Sequence, residues 1–222
     1  MSARLQHCRM LLSGRLYDPF QCMFTDEKWF CADTSSGKVW MTDKDDPDRF
    51  TNKKQHPIKV MFFGGVCSYG TPPLIPIEGN LTAKGYIKLL QKHYVPWIQE
   101  NCPFDTVWWL QDNPTVHTTQ FNLIKMACWG WKQAPHPAVS PDLNPDEFCW
   151  MDTDCLLKEY TITTKAQLIA AVQECWKIAA HPSNFKSYVN GMLANAKQVI
   201  RKGGGNHYVE NKCKRMVNYA AM

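Results

Sequence analysis

Residues 20–27, Phe-Gln-Cys-Met-Phe-Thr-Asp-Glu, are the most informative segment in a chain of 222 residues. Its apolar part shows no polar face, which predicts a central strand covered on both sides. We expect Asp26 and Glu27 to end this strand. A second apolar strand, residues 106–111 (TVWWLQ), leads directly into Asp112. Because α/β sheets place their chemistry at strand ends, Asp26 and Asp112 become candidate site residues.

Further strands and helices alternate around these two strands, which indicates an α/β or α+β class. Thr164 with Gln167 matches a capping box before a helix whose apolar residues recur at helical spacing. The other predicted elements are a leading helix at 3–13, strands at 58–67 and 74–77, and helices at 82–100 (bent at Pro96), 118–128, from near 144, and 184–200.

The composition is that of a globular protein, with 45% hydrophobic and 20% charged residues, and it excludes disordered and fibrous classes. The formal net charge is 25 − 20 = +5. Residues 181–222 hold seven Lys or Arg against one acid, a net of +6, so the rest of the chain is nearly neutral. This uneven charge marks the C-terminal segment as the candidate phosphate-contacting surface, with a solvated end as the alternative.

The ten cysteines are scattered and form no CxxC pair, which is typical of free thiols in a reducing compartment and of a chain without structural zinc. The first residues lack the apolar core of a signal peptide. The longest apolar run, residues 60–67, is too short to span a bilayer. We therefore expect a soluble intracellular protein with no membrane partner.

A third acidic group, Asp142, Asp146 and Glu147, surrounds a predicted helix start. Carboxylates converging from two strand ends and a helix start can hold two divalent cations, and Mg²⁺ prefers such oxygen ligands. Two metal ions can clamp the attacking and leaving oxygens of a phosphodiester.

Ordinary structural roles explain the same acids. Asp26 or Asp112 alone suits a turn. Asn144 and Glu147 fit a capping box, and the helix dipole favours Asp146 in the first turn. The residue pattern by itself leaves both interpretations open.

Four motifs occur in order along the chain: Thr25–Phe30 (TDEKWF), Val60–Gly65 (VMFFGG), Gln111–His117 (QDNPTVH) and Ser140–Glu147 (SPDLNPDE). Together they resemble the catalytic domain of the Tc/mariner superfamily of DNA transposases. Thirty-four residues separate Asp112 from Glu147, as in one branch of that family, and residues 199–208 (VIRKGGGNHY) resemble its closing segment.

The resemblance implies an RNase H-like (retroviral-integrase-like) α/β fold, a mixed five-stranded sheet flanked by helices. It also implies Mg²⁺- or Mn²⁺-dependent phosphodiester cleavage and strand transfer, with two ions per active site. By matching motifs, Asp26, Asp112 and Glu147 are the catalytic residues and metal ligands. Successive strand residues face opposite sides, so Glu27 is expected to be structural.

The implied partners are double-stranded DNA, as element end and as target, and a second copy in a homodimer on DNA. A eukaryotic host would require nuclear access. Candidate DNA contacts are His117, Asn113, Lys197, Arg201 and Lys202, and the basic tail continues through Lys212, Lys214 and Arg215. The alternative to a DNA contact is that His117 is a structural histidine, hydrogen-bonded at the start of a helix.

The expected division of the chain is a leading helix at 1–15, a catalytic domain at 16–180, and a basic C-terminal helix and tail at 181–222. The family's helix-turn-helix modules have no counterpart before residue 3. Asp152 and Asp154 also place unexpected negative charge after the third ligand. These departures keep open a catalytically silent remnant that binds DNA or protein. An RNase H or resolvase-type nuclease shares the chemistry but not the motifs.

Overall fold

A computed structural model describes residues 2–32, 58–103, 106–112 and 116–205. The elements in chain order are α1 (Ala3–Leu12), β1 (Cys22–Ala32), β2 (Ile58–Val66), β3 (Ile75–Ile77), α2 (Ala83–Leu89), α3 (Val95–Asn101), β4 (Val107–Leu110), α4 (Gln120–Cys128), β5 (Trp131–Gln133), α5 (Pro145–Leu157), α6 (Lys165–Ala179) and α7 (Pro182–Arg201). The predicted loop at 42–57 lies outside the described residues.

One five-stranded mixed sheet, in the order β3-β2-β1-β4-β5, organises the molecule. β1 pairs antiparallel with β2, and β2 pairs antiparallel with β3. On its other side β1 pairs parallel with β4, and β4 with β5. The predicted RNase H-like fold, a mixed five-stranded sheet flanked by helices, is confirmed.

Both faces of the sheet are covered, as the uniformly apolar β1 predicts. One core contains Cys22, Phe24 and Phe30 of β1 together with residues of α1, α5, α6 and α7. The other contains Met23 and residues of α2, α3 and α4. Alternate residues of β1 therefore face different helical layers, as strand geometry requires.

Local capping signals place several helix starts. Thr82, Thr119 and Thr164 each accept a backbone N–H with the side chain at the start of α2, α4 and α6. The predicted capping box of Thr164 with Gln167 is present, with the Gln167 side chain returning to the Thr164 backbone. Each cap satisfies a backbone donor that the helix leaves without an internal partner.

Three elements differ from the sequence prediction. β1 does not end at Asp26 and Glu27 but continues to Ala32, because its second half pairs with β2 from Asp26↔Gly64 to Ala32↔Ile58. The short β5 was not predicted. The helix expected at 82–100 changes to π-helical pairing at Leu90–Tyr94, just before α3 with Pro96 in its first turn.

The helices at the two ends of the described chain pack together on the core shared with α5 and α6. Leu11 of α1 and Val189, Met192 and Val199 of α7 are buried in it. Within the described segments, no helix combines the length and apolar character needed to cross a membrane.

Most cysteines are free, as predicted. Eight of those that the structure describes carry free thiols. Cys155 is an exception, because it is disulfide-bonded. The prediction of free thiols was wrong at this position.

Candidate active site

Asp26 lies in the middle of the sheet, on the face that α5 covers. Its strand neighbour Thr25 donates a hydrogen bond from its hydroxyl to the carbonyl of Leu110, at 2.9 Å, which ties β1 to the end of β4. Asn144 donates from its side-chain amide to the Thr25 carbonyl at 3.5 Å. The start of α5 and the end of β4 are thereby both held beside Asp26.

Glu147 lies in the first turn of α5 and is half-buried. Asn144 caps this helix by accepting the backbone N–H of Asp146 at 3.1 Å, and Pro145 occupies the first helical position. The Asn144 side chain therefore caps the helix through the N–H of Asp146, the second helical residue. The N–H of Glu147 donates instead to the backbone carbonyl of Asn144.

Asp112 follows β4 by two residues, and its side chain is 59% exposed. The preceding Gln111 is buried and accepts hydrogen bonds from Tyr86 Oη and from Trp109 Nε1 at 2.9 Å. These bonds fix the end of β4. His136 Nε2 lies 3.8 Å from Asp112 Oδ1, and burial lowers the pKa of His136 to about 4.

Glu147 and Asp112 both act electrostatically on Asp26. Burial raises the pKa of Asp26 well above its usual range, and Glu147, Asp112 and Glu27 raise it further in that order. Asp26 is therefore within electrostatic range of both other predicted ligands. Within the described ranges, however, no three His, Cys, Asp or Glu side chains lie close enough together to form a ready metal site. Electrostatic influence extends further than a coordination bond, so the two observations are compatible.

Glu27 occupies the opposite face of β1 from Asp26. Its Oε1 lies 2.8 Å from His117 Nε2. The His117 ring is buried and stacks on Tyr86 with ring centroids 4.4 Å apart. This arrangement matches the structural role predicted for Glu27, and it favours the bonded alternative for His117 over a surface contact with DNA.

The candidate DNA-contacting residues at the end of α7 are exposed. Lys197, Arg201 and Lys202 all face solvent. The other candidates, Asn113, Lys212, Lys214 and Arg215, lie outside the described residues.

Sequence reasoning missed two residues beside Asp112. Gln111 follows an apolar strand and comes two residues after the buried Trp109. Strand alternation places both side chains on the same face, which indicates that Gln111 is buried as well. His136 sits in the Pro-rich passage before Ser140, and nothing in the local pattern indicated that it returns to the end of β4.

Two curated transposases are similar to this chain in sequence. The transposable element Tc3 transposase of Caenorhabditis elegans is 26% identical over 192 residues, which cover 82% of this chain and 56% of that protein. The Tcb1 transposase of Caenorhabditis briggsae is 25% identical over 186 residues, covering 79% and 66%. The chain thus spans less than two thirds of either relative. No family model matches it.

Solved structures of Mos1 transposase are similar in fold. A paired-end complex with the left transposon end has a TM-score of 0.77 at 19% identity and covers 90% of this chain and 61% of that one. A Mos1 catalytic domain with raltegravir and Mn has a TM-score of 0.70 at 19% identity, with 91% and 94% coverage. The second match shows that the described fold is about the size of that catalytic domain.

Proposed function

This chain belongs to the Tc/mariner superfamily of DNA transposases, and we propose that it cleaves and joins DNA phosphodiester bonds in a divalent-metal-dependent reaction. In the first step water attacks a phosphodiester at the element end and releases a 3′-hydroxyl. In the second, that hydroxyl attacks a phosphodiester of the target DNA, the target's own P–O3′ bond breaks, and the target 3′-hydroxyl leaves. Residues 16–180 carry this chemistry, with 1–15 as the leading helix and 181–222 as the basic helix and tail.

The observation that carries the proposal is that hydrogen bonds from Thr25 to the Leu110 carbonyl and from Asn144 to the Thr25 carbonyl join the three elements that carry the acids. Asp26 from β1, Asp112 from the end of β4 and Glu147 from the start of α5 would supply the ligands, and their carboxylate oxygens suit Mg²⁺ or Mn²⁺. Two such ions, when bound, would neutralise the charge on the attacking and leaving oxygens. The chain's own part is to hold these carboxylates on separate rigid elements, so that substrate is positioned without a protein nucleophile.

The choice of metal and partner follows from the relatives. Mos1 structures contain Mn or Mg, and others contain transposon-end DNA or a strand-transfer complex. We propose Mg²⁺ or Mn²⁺ for this chain as well, and double-stranded DNA as its substrate, engaged by two copies. Lys197, Arg201 and Lys202 are exposed cations that suit phosphate contact.

A second candidate function is that of a catalytically silent remnant that binds DNA or protein. It is favoured by the fact that no three acidic, His or Cys side chains of the described segments stand at coordinating distance. In the catalytic proposal, Asp26, Asp112 and Glu147 would hold the metal ions.

A plasmid-nicking assay with Mg²⁺ or Mn²⁺ separates the two functions. We expect the wild-type protein to nick supercoiled DNA with metal and not with EDTA. Glu147→Gln should lower the rate by at least about 100-fold, since each ligand is needed for charge neutralisation. Asp154→Asn is the matched control, because Asp154 lies on the same helix but pairs with Lys28 at 2.9 Å.

The Asp154 variant should retain the wild-type rate. A wild-type chain that never nicks DNA supports the silent remnant, and a Glu147→Gln variant that nicks normally contradicts the assignment of Glu147. An RNA–DNA hybrid run in parallel tests the RNase H-type alternative.

A further inference from the structure

Two cysteine thiols meet in the core that the sheet shares with α2, α3 and α4. Cys67 Sγ lies 3.9 Å from Cys102 Sγ, although the two residues are 35 positions apart in the chain. Both residues carry free thiols. Cys67 comes directly after β2, and Cys102 comes directly after α3. The pair therefore brings the end of a strand into contact with the end of a helix that packs on the same core.

Backbone hydrogen bonds hold both cysteines in place. Cys67 and Gly70 exchange two of them, from the Cys67 N–H at 2.9 Å and from the Gly70 N–H at 3.1 Å, which closes a tight turn after β2. The N–H of Cys102 donates to the Ile98 carbonyl at 2.8 Å and continues the hydrogen bonding of α3. The two sulfur atoms thus meet between segments that the fold fixes.

The two thiols differ in access to solvent and in acidity. Cys67 is 2% exposed, whereas Cys102 is only half-buried. The hydrogen bond from the Cys67 thiol lowers the pKa of Cys102, and the same bond, together with burial, raises the pKa of Cys67. The thiolate is the form of cysteine that reacts with oxidants. Cys102 is therefore the thiol that a dissolved oxidant reaches, and Cys67 is the buried thiol beside it.

We propose that Cys102 and Cys67 form a site of reversible oxidation by hydrogen peroxide, with Cys102 as the first thiol to react and Cys67 as the resolving thiol. The Cys102 sulfur attacks a peroxide oxygen, the O–O bond breaks, and a sulfenic acid forms as one water leaves. The Cys67 sulfur then attacks the Cys102 sulfur, the S–O bond breaks, and a disulfide forms as a second water leaves. The two thiols give up two electrons and two protons to the peroxide.

The disulfide fastens the end of α3 to the end of β2. Bond formation brings the sulfurs about 2 Å closer, and Cys102 is the partner that can move, because it lies beyond the last residue of α3 and is partly exposed. The bond encloses β3, α2 and α3, and a cross-link over so long a segment restricts the unfolded chain. We expect the oxidised chain to melt about 5 °C or more above the reduced chain.

Peptide mapping of the whole chain tests this proposal. The chain is freed of reductant, treated with hydrogen peroxide, alkylated with iodoacetamide in denaturant and digested with trypsin. Lys84, Lys88 and Lys92 separate the two cysteines, so the bond joins peptides 60–84 and 93–125. We expect this linked pair in most molecules, and its loss after treatment with dithiothreitol. Cys102→Ser should lose both the linked pair and the rise in melting temperature.

Cys128→Ser is the matched control, because it removes an exposed thiol at the end of α4. It should keep the linked pair and the rise in melting temperature. The proposal is overturned if peroxide converts Cys102 to a sulfinic acid while Cys67 is still alkylated, or if both thiols are alkylated after treatment. Equal melting temperatures of the oxidised and reduced wild type also contradict it. The mapping uses the wild-type chain, so it decides the matter even if Cys102→Ser fails to fold.

Discussion

At the residue scale, burial decides which charges the fold tolerates. His7 of α1 and His136 are both buried, with ring centroids 6.3 Å apart. Burial lowers the pKa of each to about 4, and for His7 the neighbouring His136 and Arg4 lower it further. Both rings are therefore neutral at neutral pH, and acid must destabilise the side of the molecule where they lie.

The pH dependence of stability follows from the His7 pKa. The unfolded chain binds a proton near the ordinary value of 6.5, whereas the folded chain resists it until about pH 4. Stability is thus fully present above 6.5 and is lost as pH falls toward 4. His7→Leu should reduce the loss between pH 7 and pH 5 by about 1 kcal/mol. Urea unfolding of both proteins at the two pH values in EDTA measures this, and equal losses would contradict it.

At the scale of elements, the two adjacent glycines of β2 explain why the sheet can be covered so closely. A Cβ on Gly64 would lie 2.6 Å from the ring of Trp150 on α5. A Cβ on Gly65 would lie 2.9 Å from Thr25 Cγ2. The glycines let β2 pack against Trp150 and against β1 beside Asp26, which gives the VMFFGG motif a packing role.

Gly64→Ala should therefore lower the free energy of unfolding by about 2 kcal/mol, because α5 must shift away from the sheet to admit a methyl group. Chemical denaturation monitored by tryptophan fluorescence measures the change. Stability equal to that of wild type would show that Trp150 is not packed on β2 as described.

Elements with local signals were predictable, and those that depend on distant partners were not. Thr164 and Gln167, which lie within four residues of each other, predict the start of α6, and the structure contains their capping box. The extension of β1 to Ala32 depends on pairing with β2, and the three-residue β5 depends on pairing with β4. No window of sequence around either strand contains that information.

The same distinction holds for the candidate site. Motifs pointed to Asp26, Asp112 and Glu147, and strand alternation predicted that Glu27, which lies beside His117, faces away from Asp26. The approach of His136 to Asp112 was beyond prediction, since it depends on how the chain returns after β5. Asp146 was expected to shape the helix start, and its lack of hydrogen-bond partners emerges only from the packed structure.

At the scale of the whole molecule, the first and last described helices brace the turn before α5. Arg4 of α1 forms a buried ion pair with Asp142, and Asn195 of α7 donates its side-chain amide to the Asp142 carbonyl at 2.9 Å. α1 and α7 thus hold the segment that delivers Glu147 to the site. The exposed cations at the end of α7 follow directly after this bracing contact.

Arg4→Met removes the partner of a buried carboxylate while it keeps the aliphatic part of the side chain. We expect a loss of about 3 kcal/mol in the free energy of unfolding, since the remaining charge is left buried and unpaired. Combining it with Asp142→Asn should cost less than the sum of the two single variants. Strictly additive losses in urea denaturation would contradict a direct pairing.

We propose that Asp26, Asp112 and Glu147 together form one metal-dependent catalytic site. The most direct measurement is anomalous diffraction from crystals of this chain soaked in Mn²⁺. We expect a manganese peak within about 2.0–2.6 Å of carboxylate oxygens from Asp26 and at least one of the other two residues. A well-ordered crystal with no peak at these carboxylates, or with manganese bound only elsewhere on the chain, would contradict it.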